Sequence, residues 1–261
     1  MQKTLVDKIP IALPKEIAPY VEGANVYDSS CNSEAKVYFI EREGGYFLKV
    51  ASKCSLQREA QMTDYFYSKG IGAEVLFYGG NDCDILLSKQ VKGEDCTHES
   101  YLENPKKLCD RLAEELRLLH QTDFSDCPVK NKMQEYFALA ERNFRTGNYD
   151  KSNFPDSFGY RSADEAYSTF INGKDALNGS VLLHGDYCLP NVILDDWHFS
   201  GFIDLGGAGV GDRHVDIFWG LWSLAFNLKT DRYRSRFIDA YGKDLVDEEK
   251  LKIIGAIEVF G

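Results

Sequence analysis

The chain changes character once, near residue 90, and that change limits its folds more than any other feature. Before it, short apolar segments alternate with polar positions and are cut by glycine turns: "ANVYDS", "AKVYFIERE", "GGYFLKVA", then "AEVLFYGG" and "CDILLSKQ". Alternation over so few residues predicts strands, with Gly44-Gly45 and Gly79-Gly80-Asn81-Asp82 supplying turns. Between the third and fourth of these lies "LQREAQMTDYFYSK", apolar at helical spacing and stopped at Gly70. After "KQVKGEDC" the pattern is helical. "PKKLCDRLAEELRLLHQ" places Pro105 at a first helical position and carries Leu108, Leu112, Leu116 and Leu119 as one stripe. "KMQEYFALAERNF" and "SADEAYSTFIN" follow, the second with Ser162 as N-cap and Glu165 three residues on. The segment from Asp212 is helical again, and its Phe218, Trp222 and Phe226 are expected in the core. The expectation is an α+β chain of two lobes: a small β-rich one over residues 1–90, a hinge at 88–93, and a larger helical one over 91–261.

With 261 residues, 44% of them hydrophobic, the chain can bury a substantial core, which excludes disorder. No apolar run reaches the ~20 residues that span a bilayer. The first segment is broken by Pro10, Pro14 and Pro19 and carries acids, unlike a signal peptide. Seven cysteines, at 31, 54, 83, 96, 109, 127 and 188, are odd in number and include no C-x-x-C pair. That spacing predicts free thiols in a reducing cytoplasm, with neither a disulfide frame nor a zinc site. A net charge of -11 argues against nucleic acid, whose phosphates want a basic face, and would draw a cationic small molecule. The expected partner is therefore a small molecule, with no nucleic acid and no membrane; the chain itself is expected to be a monomer or weak dimer.

One polar turn stands out. In "VLLHGDYCLPNVIL", residues 181–194, two short apolar runs flank His184, Gly185, Asp186 and Asn191. A connector would need only Gly or Asn for its geometry. Further on, Asp204 ends the strand in "GFIDLGG" and is followed by Gly206 and Gly207. Asp186, Asn191 and Asp204 could converge at strand tips. A carboxylate with a carboxamide is a hard oxygen set suited to Mg²⁺. A second carboxylate left off the metal could accept a hydroxyl proton. Phosphoryl transfer needs those parts: metal charge, positioning and a base. His184 is expected to orient the loop, and His120, at the end of the leucine-rich helix, to be a satisfied core residue.

The motif H-G-D-Y-C-L-P-N keeps the Asp-x-x-x-x-Asn spacing of the protein-kinase catalytic loop, and Asp204-Leu205-Gly206 stands where those kinases have Asp-Phe-Gly. With "SEAKVYFI", "FLKV", "LRLLHQTDFSDCP" and "GFIDLGGAGVGDRHVDI", the chain resembles the aminoglycoside phosphotransferases, particularly the 3'-hydroxyl enzymes. The resemblance implies a protein-kinase-like fold and the following roles. Asp186 is the catalytic base. Asn191 and Asp204 bind Mg²⁺. Lys49 holds the α- and β-phosphates of ATP, with GTP left open, and Glu59 pairs with Lys49. Ser33 lies in the loop over the phosphates, Phe47 lies against the adenine, and backbone groups from Ser88 to Gln90 read its edge.

For the substrate, the resemblance implies carboxylates in the helical lobe and at the C-terminus. Glu258 and Phe260 match the family's acidic and aromatic ending, and Asp164 and Glu165 add negative charge. The family's acidic pair is replaced here by Phe226 and Asn227. The expected activity is ATP-dependent phosphorylation of an aminoglycoside hydroxyl, the 3'-hydroxyl first, conferring antibiotic resistance. The alternative is a kinase of the same fold acting on another small hydroxyl compound: a different antibiotic, an amino alcohol or a sugar.

Overall fold

The structure, a computed structural model, describes residues 3–31, 35–150 and 158–261. They divide into two compact units. One comprises residues up to 94 together with 193–206; the other comprises 95–192 together with 207–261.

The first unit is built on a sheet. Its elements are β1 (Thr4–Val6), α1 (Ala18–Val21), β2 (Asn25–Asp28), β3 (Ala35–Glu41), β4 (Tyr46–Ser52), α2 (Gln57–Ser68), β5 (Val75–Gly79) and β6 (Cys83–Lys89). The strands form one six-stranded sheet in the order β1-β2-β3-β4-β6-β5, antiparallel throughout. Because successive side chains point to opposite faces, each strand sorts its residues. Tyr38, Ile40, Leu48, Ile85 and Leu87 pack on one side with Ile9, Ile17 and Val26. Ala51 and Leu86 meet Leu56 and Ala60, at the start of α2, on the other. The β3–β4 turn runs through Gly44 and Gly45, both at positive φ, which a side chain would strain.

Helix α2 has no side-chain cap of its own. The free N–H of Leu56 is taken instead by Asp84 of β6, whose Oδ2 accepts it at 3.0 Å and also accepts the Tyr78 hydroxyl at 3.0 Å. Burial alone would push the Asp84 carboxyl up. The N–H groups of Cys54 and Leu56, with Tyr78 and Lys53, outweigh it and hold the group below its ordinary value. A fully buried carboxylate thus ties α2 to the sheet.

The chain passes through β7 (Glu94–Asp95) into α3 (Glu99–Leu102), α4 (Pro105–Leu119), α5 (Lys132–Thr146), α6 (Ala163–Gly173) and β8 (Val181–Leu183). β9 (Val192–Asp195) and β10 (His198–Phe202) form a hairpin turned by Asp196 and Trp197 at positive φ. Most of this hairpin belongs to the first unit. The Phe202 N–H donates to the Ile71 carbonyl at 2.9 Å, and its ring meets Phe66 edge-on at 6.2 Å. β11 (Gly209–Gly211), α7 (His214–Leu228), α8 (Arg234–Tyr241) and α9 (Glu248–Glu258) complete the second unit. There β8 and β11 pair antiparallel, and α5, α6, α7 and α9 contribute Ala140, Phe170, Val215 and Ile257 to one core.

The expected aromatic core stripe on α7 is corrected. Phe218 packs against the core, but Trp222 is 40% exposed and Phe226 55%. The helix is apolar nearly all round, and its buried face is filled by Val215, Ile217, Leu221 and Leu224, so the remaining apolar residues face outward. All seven cysteines are free thiols. Among the described residues, no helix is long and apolar enough to cross a membrane.

Candidate active site

In the first unit, β4 presents Phe47 and Lys49 on the same face, two residues apart. Lys49 pairs in register with Leu86 of β6, and Phe47 with Ser88. The Lys49 ammonium donates to Glu59 Oε1 at 2.5 Å and to Asp204 Oδ1 at 3.0 Å. Glu59 lies in the first turn of α2, so the Asp84 tie that fixes the helix start also aims this carboxylate. Burial alone would lower the Lys49 pKa; the charges of Glu59 and Asp204 outweigh it and raise it above the ordinary lysine value. Lys49 therefore remains a cation. Burial pushes the Glu59 carboxyl up, while Lys49 pulls it back.

Asp204 stands in left-handed backbone, φ +59°, an uncommon conformation for a residue with a side chain. Its side chain is 51% exposed and carries Lys49 on one oxygen. Leu205, buried, and the glycines after it form a single 3₁₀ turn. Local strain of this kind persists where surrounding structure holds it, commonly at functional positions.

In the segment from Ser88 to Gln90, expected at the adenine edge, the Gln90 N–H donates to the Gly45 carbonyl at 3.0 Å and that of Lys89 to the Glu74 carbonyl at 2.9 Å, so these two amides already have partners. The next amide, that of Val91, has no partner among the described residues. Ser33 lies outside the described residues.

In the second unit, the His184–Asn191 turn is held from several sides. Gly185 adopts φ +82°, and a Cβ there would stand 1.9 Å from the carbonyl oxygen of Gly207. Only glycine lets the two turns approach so closely. Asp216, in the first turn of α7 and fully buried, accepts the His184 N–H on Oδ2 and the Gly185 N–H on Oδ1, both at 2.8 Å. His184 Nδ1 accepts the Asp186 N–H at 3.3 Å, the loop-orienting role expected of it. Farther along, Ser223 Oγ of α7 accepts the Leu189 N–H at 3.0 Å.

Asn191 donates from Nδ2 to the Asp186 carbonyl at 2.9 Å and to Asp186 Oδ2 at 2.8 Å. These two bonds orient the Asp186 carboxylate. Among the described residues, no cluster of three or more His, Cys, Asp or Glu could bind a metal unaided. The carboxamide of Asn191 and, in the other unit, the half-exposed carboxylate of Asp204 are each hard oxygen donors, a ligand chemistry that Mg²⁺ accepts beside phosphate oxygens and water.

Of the residues expected at the substrate, Glu258 has the most informative surroundings. Its Oε1 accepts the Tyr136 hydroxyl and, at 2.9 Å, the Trp219 indole N–H. Burial raises its carboxyl from the ordinary 4.5 to about 7; Tyr136, Trp219 and Lys132 oppose the rise, and the charge of Asp186 adds to it. The charge of Asp186 thus reaches Glu258. Phe260 is corrected from a substrate contact to a core residue: its ring is fully buried among Phe144, Tyr149 and Tyr167. Asp164 and Glu165 are exposed in the first turn of α6. Glu165 accepts the Arg161 N–H at 3.0 Å and gives its own to Ser162 Oγ at 3.2 Å, which is a helix cap. No bond among the described residues joins either acid to Asp186.

Asp216, Tyr136, Trp219 and Val91 escaped the sequence reading. Only Asp216 left a signal, an acid opening an otherwise apolar helix.

The family model for phosphotransferase enzymes matches residues 29–254. The chain is 48% identical over 257 residues to a probable aminoglycoside 3'-phosphotransferase of Lactococcus lactis subsp. lactis (strain IL1403), covering 98% of this chain and 96% of that one. It is 32% identical over 232 residues to an aminoglycoside 3'-phosphotransferase of Niallia circulans, covering 86% and 87%. Among solved structures, it matches an aminoglycoside-3'-phosphotransferase of type VIII with TM-score 0.75 and 25% identity, over 90% of this chain and 91% of that one. An aminoglycoside phosphotransferase of Streptomyces rimosus, solved with ADP and streptomycin, shares the fold at TM-score 0.72 and 21% identity, over 86% and 90%. A match spanning nearly the whole sequence, on a kinase-like fold, places the chain in the phosphotransferase enzyme family, as a member of the aminoglycoside phosphotransferases.

Proposed function

We propose that this chain transfers the γ-phosphoryl group of ATP to a hydroxyl of an aminoglycoside, the 3'-hydroxyl first, and so confers antibiotic resistance. The observation that carries this reading is the Lys49 ammonium held between Glu59 and Asp204. A cation kept charged on a rigid strand, beside an exposed carboxylate, suits the α- and β-phosphates of a metal-bound nucleotide. Asn191 and Asp204 would hold Mg²⁺, which supplies positive charge to the phosphate oxygens when bound. Phe47 offers a ring to the adenine and Val91 an amide donor.

In the transfer step, the acceptor hydroxyl oxygen bonds to the γ-phosphorus. The bond from that phosphorus to the β–γ bridging oxygen breaks, and ADP leaves with the electron pair. The hydroxyl proton passes to Asp186, whose orientation Asn191 maintains. Little covalent work is left to the protein, so most of the rate comes from positioning and electrostatics. An aminoglycoside carries several ammonium groups, and Glu258 in its ionised form is a carboxylate that can receive one. Free thiols throughout fit a cytoplasmic enzyme.

One observation favours a second reading, a kinase for another small hydroxyl compound. On α7, Trp222 and Phe226 stack at 5.0 Å, and the Lys229 ammonium sits 4.1 Å from the Phe226 ring centre. An exposed face that already carries a cation is a poor seat for a polycationic acceptor. A panel of aminoglycosides, amino alcohols and sugars assayed for stimulated ADP release separates the two. Stimulation by aminoglycosides supports the first reading; stimulation by an uncharged sugar alone replaces it with the second.

A further inference from the structure

Behind the Asp186 turn runs a chain of hydrogen bonds that the transfer step does not use. Arg213 Nη1 donates to the Tyr241 hydroxyl oxygen at 3.4 Å. That hydroxyl lies 2.7 Å from His120 Nδ1, and His120 Nε2 lies 3.1 Å from Asp216 Oδ2. The members come from separate elements: His120 closes α4, Tyr241 ends α8, and Arg213 and Asp216 flank the start of α7. Tyr241 and Asp216 are fully buried and His120 nearly so.

The chemistry fixes the direction of every bond. A guanidinium only donates and a carboxylate only accepts. Burial lowers the His120 pKa against the pull of Asp216, which keeps the ring neutral with a single N–H. That proton must sit on Nε2, facing Asp216, so Nδ1 accepts from Tyr241. The run is charge-balanced, with a cation at one end, a carboxylate at the other and two neutral groups between. Asp216 then carries three donors, and two of them are the backbone N–H groups of His184 and Gly185, immediately before Asp186.

We propose that His120 and Tyr241 are positioning residues for phosphoryl transfer, acting through Asp216 on the orientation of Asp186. This rests on Asp186 being the base. Tyr241 locks the His120 tautomer, and His120 locks the Asp216 rotamer. Asp216 in turn holds the two amides that set the backbone of the turn, including the left-handed Gly185.

The test is a double-mutant cycle on the full chain with Mg²⁺-ATP and a kanamycin-like acceptor. Tyr241→Phe removes one buried hydroxyl and keeps the ring. It should lower kcat roughly ten- to a hundredfold, as small misplacements of reacting groups do, while the KM values for ATP and acceptor stay within about twofold. His120→Gln, which retains an N–H donor, should recover more activity than His120→Leu. In an Asp186→Asn background, Tyr241→Phe should cost nothing further, because both act on one group.

Thermal melts normalise each rate to folded protein. The proposal is overturned by an unchanged kcat in Tyr241→Phe, by a loss matched by the unfolded fraction, or by the same fold loss with and without Asp186. A different result, near-wild-type kcat in Asp186→Asn alone, removes the base assignment itself and with it the role proposed for His120 and Tyr241.

Discussion

Asp186 and Asp204 are both carboxylates, yet they stand in different surroundings, and the roles proposed for them differ accordingly. Asp186 is fixed by an amide from Asn191, whereas Asp204 faces the Lys49 ammonium and is half exposed. Asp186→Asn should lower kcat by roughly 10²–10⁴, with Mg²⁺-nucleotide affinity by calorimetry nearly unchanged. Asp204→Ala should weaken that affinity directly. Equal loss of nucleotide binding in both variants would contradict the division.

Glu258 supplies a pH dependence at the same scale. Its carboxyl is raised to about 7, so between its unfolded value near 4.5 and 7 the folded chain keeps a proton that the unfolded chain has lost. Stability contributed by that proton is full below the unfolded value and is lost as pH rises through the folded one. The melting temperature should therefore fall from pH 5 to pH 7.5, and Glu258→Gln should flatten part of that fall. An ammonium of the acceptor needs the ionised form, so the acceptor KM should decrease as pH rises through about 7. Identical pH profiles of stability and KM in the variant would remove Glu258 from both roles. The joining of Asp186 and Asn191 in one turn was legible because their spacing along the chain is itself the signal. The partners of Glu258 were not, since residues 136, 219 and 258 meet only through the packing of three helices.

Helices and turns carry their own dependences. Asp84 supplies the cap that α2 lacks, and Glu59 rides on that helix. Asp84→Ala leaves the Leu56 N–H and the Tyr78 hydroxyl without their acceptor, at a cost of about 1–3 kcal/mol by urea unfolding. The KM for ATP should rise as Glu59 loses its aim on Lys49; a stable variant with unaltered KM would show that α2 needs no such tie. Gly185→Ala sets a Cβ against the Gly207 carbonyl at positive φ, and should destabilise by roughly 1–3 kcal/mol from backbone strain alone. A melt like that of the wild type would mean that the turns are looser than this. The strands were readable from their alternation, and α4 from its leucine stripe. The outward aromatic face of α7 was not, because an all-round apolar helix gives no periodicity to show which side is covered.

At the scale of the whole molecule, a net charge of -11 should help collect a polycation. The acceptor KM should therefore rise with added salt while kcat changes little, since screening acts on encounter and remote contacts. A salt-independent KM would favour an uncharged acceptor. The switch from strands to helices was plain in the spacing of the apolar residues. That residues 193–206 belong with the first unit was not, because a hairpin returning to an earlier unit has no mark in chain order. The most direct measurement is the product itself: the purified chain incubated with Mg²⁺-ATP and a kanamycin-like aminoglycoside, analysed by mass spectrometry and phosphorus NMR. Phosphoryl transfer predicts one ADP formed for each aminoglycoside that gains a single phosphoryl group, attached at the 3'-oxygen. ADP formation that no aminoglycoside stimulates, with every aminoglycoside recovered unmodified, would contradict it.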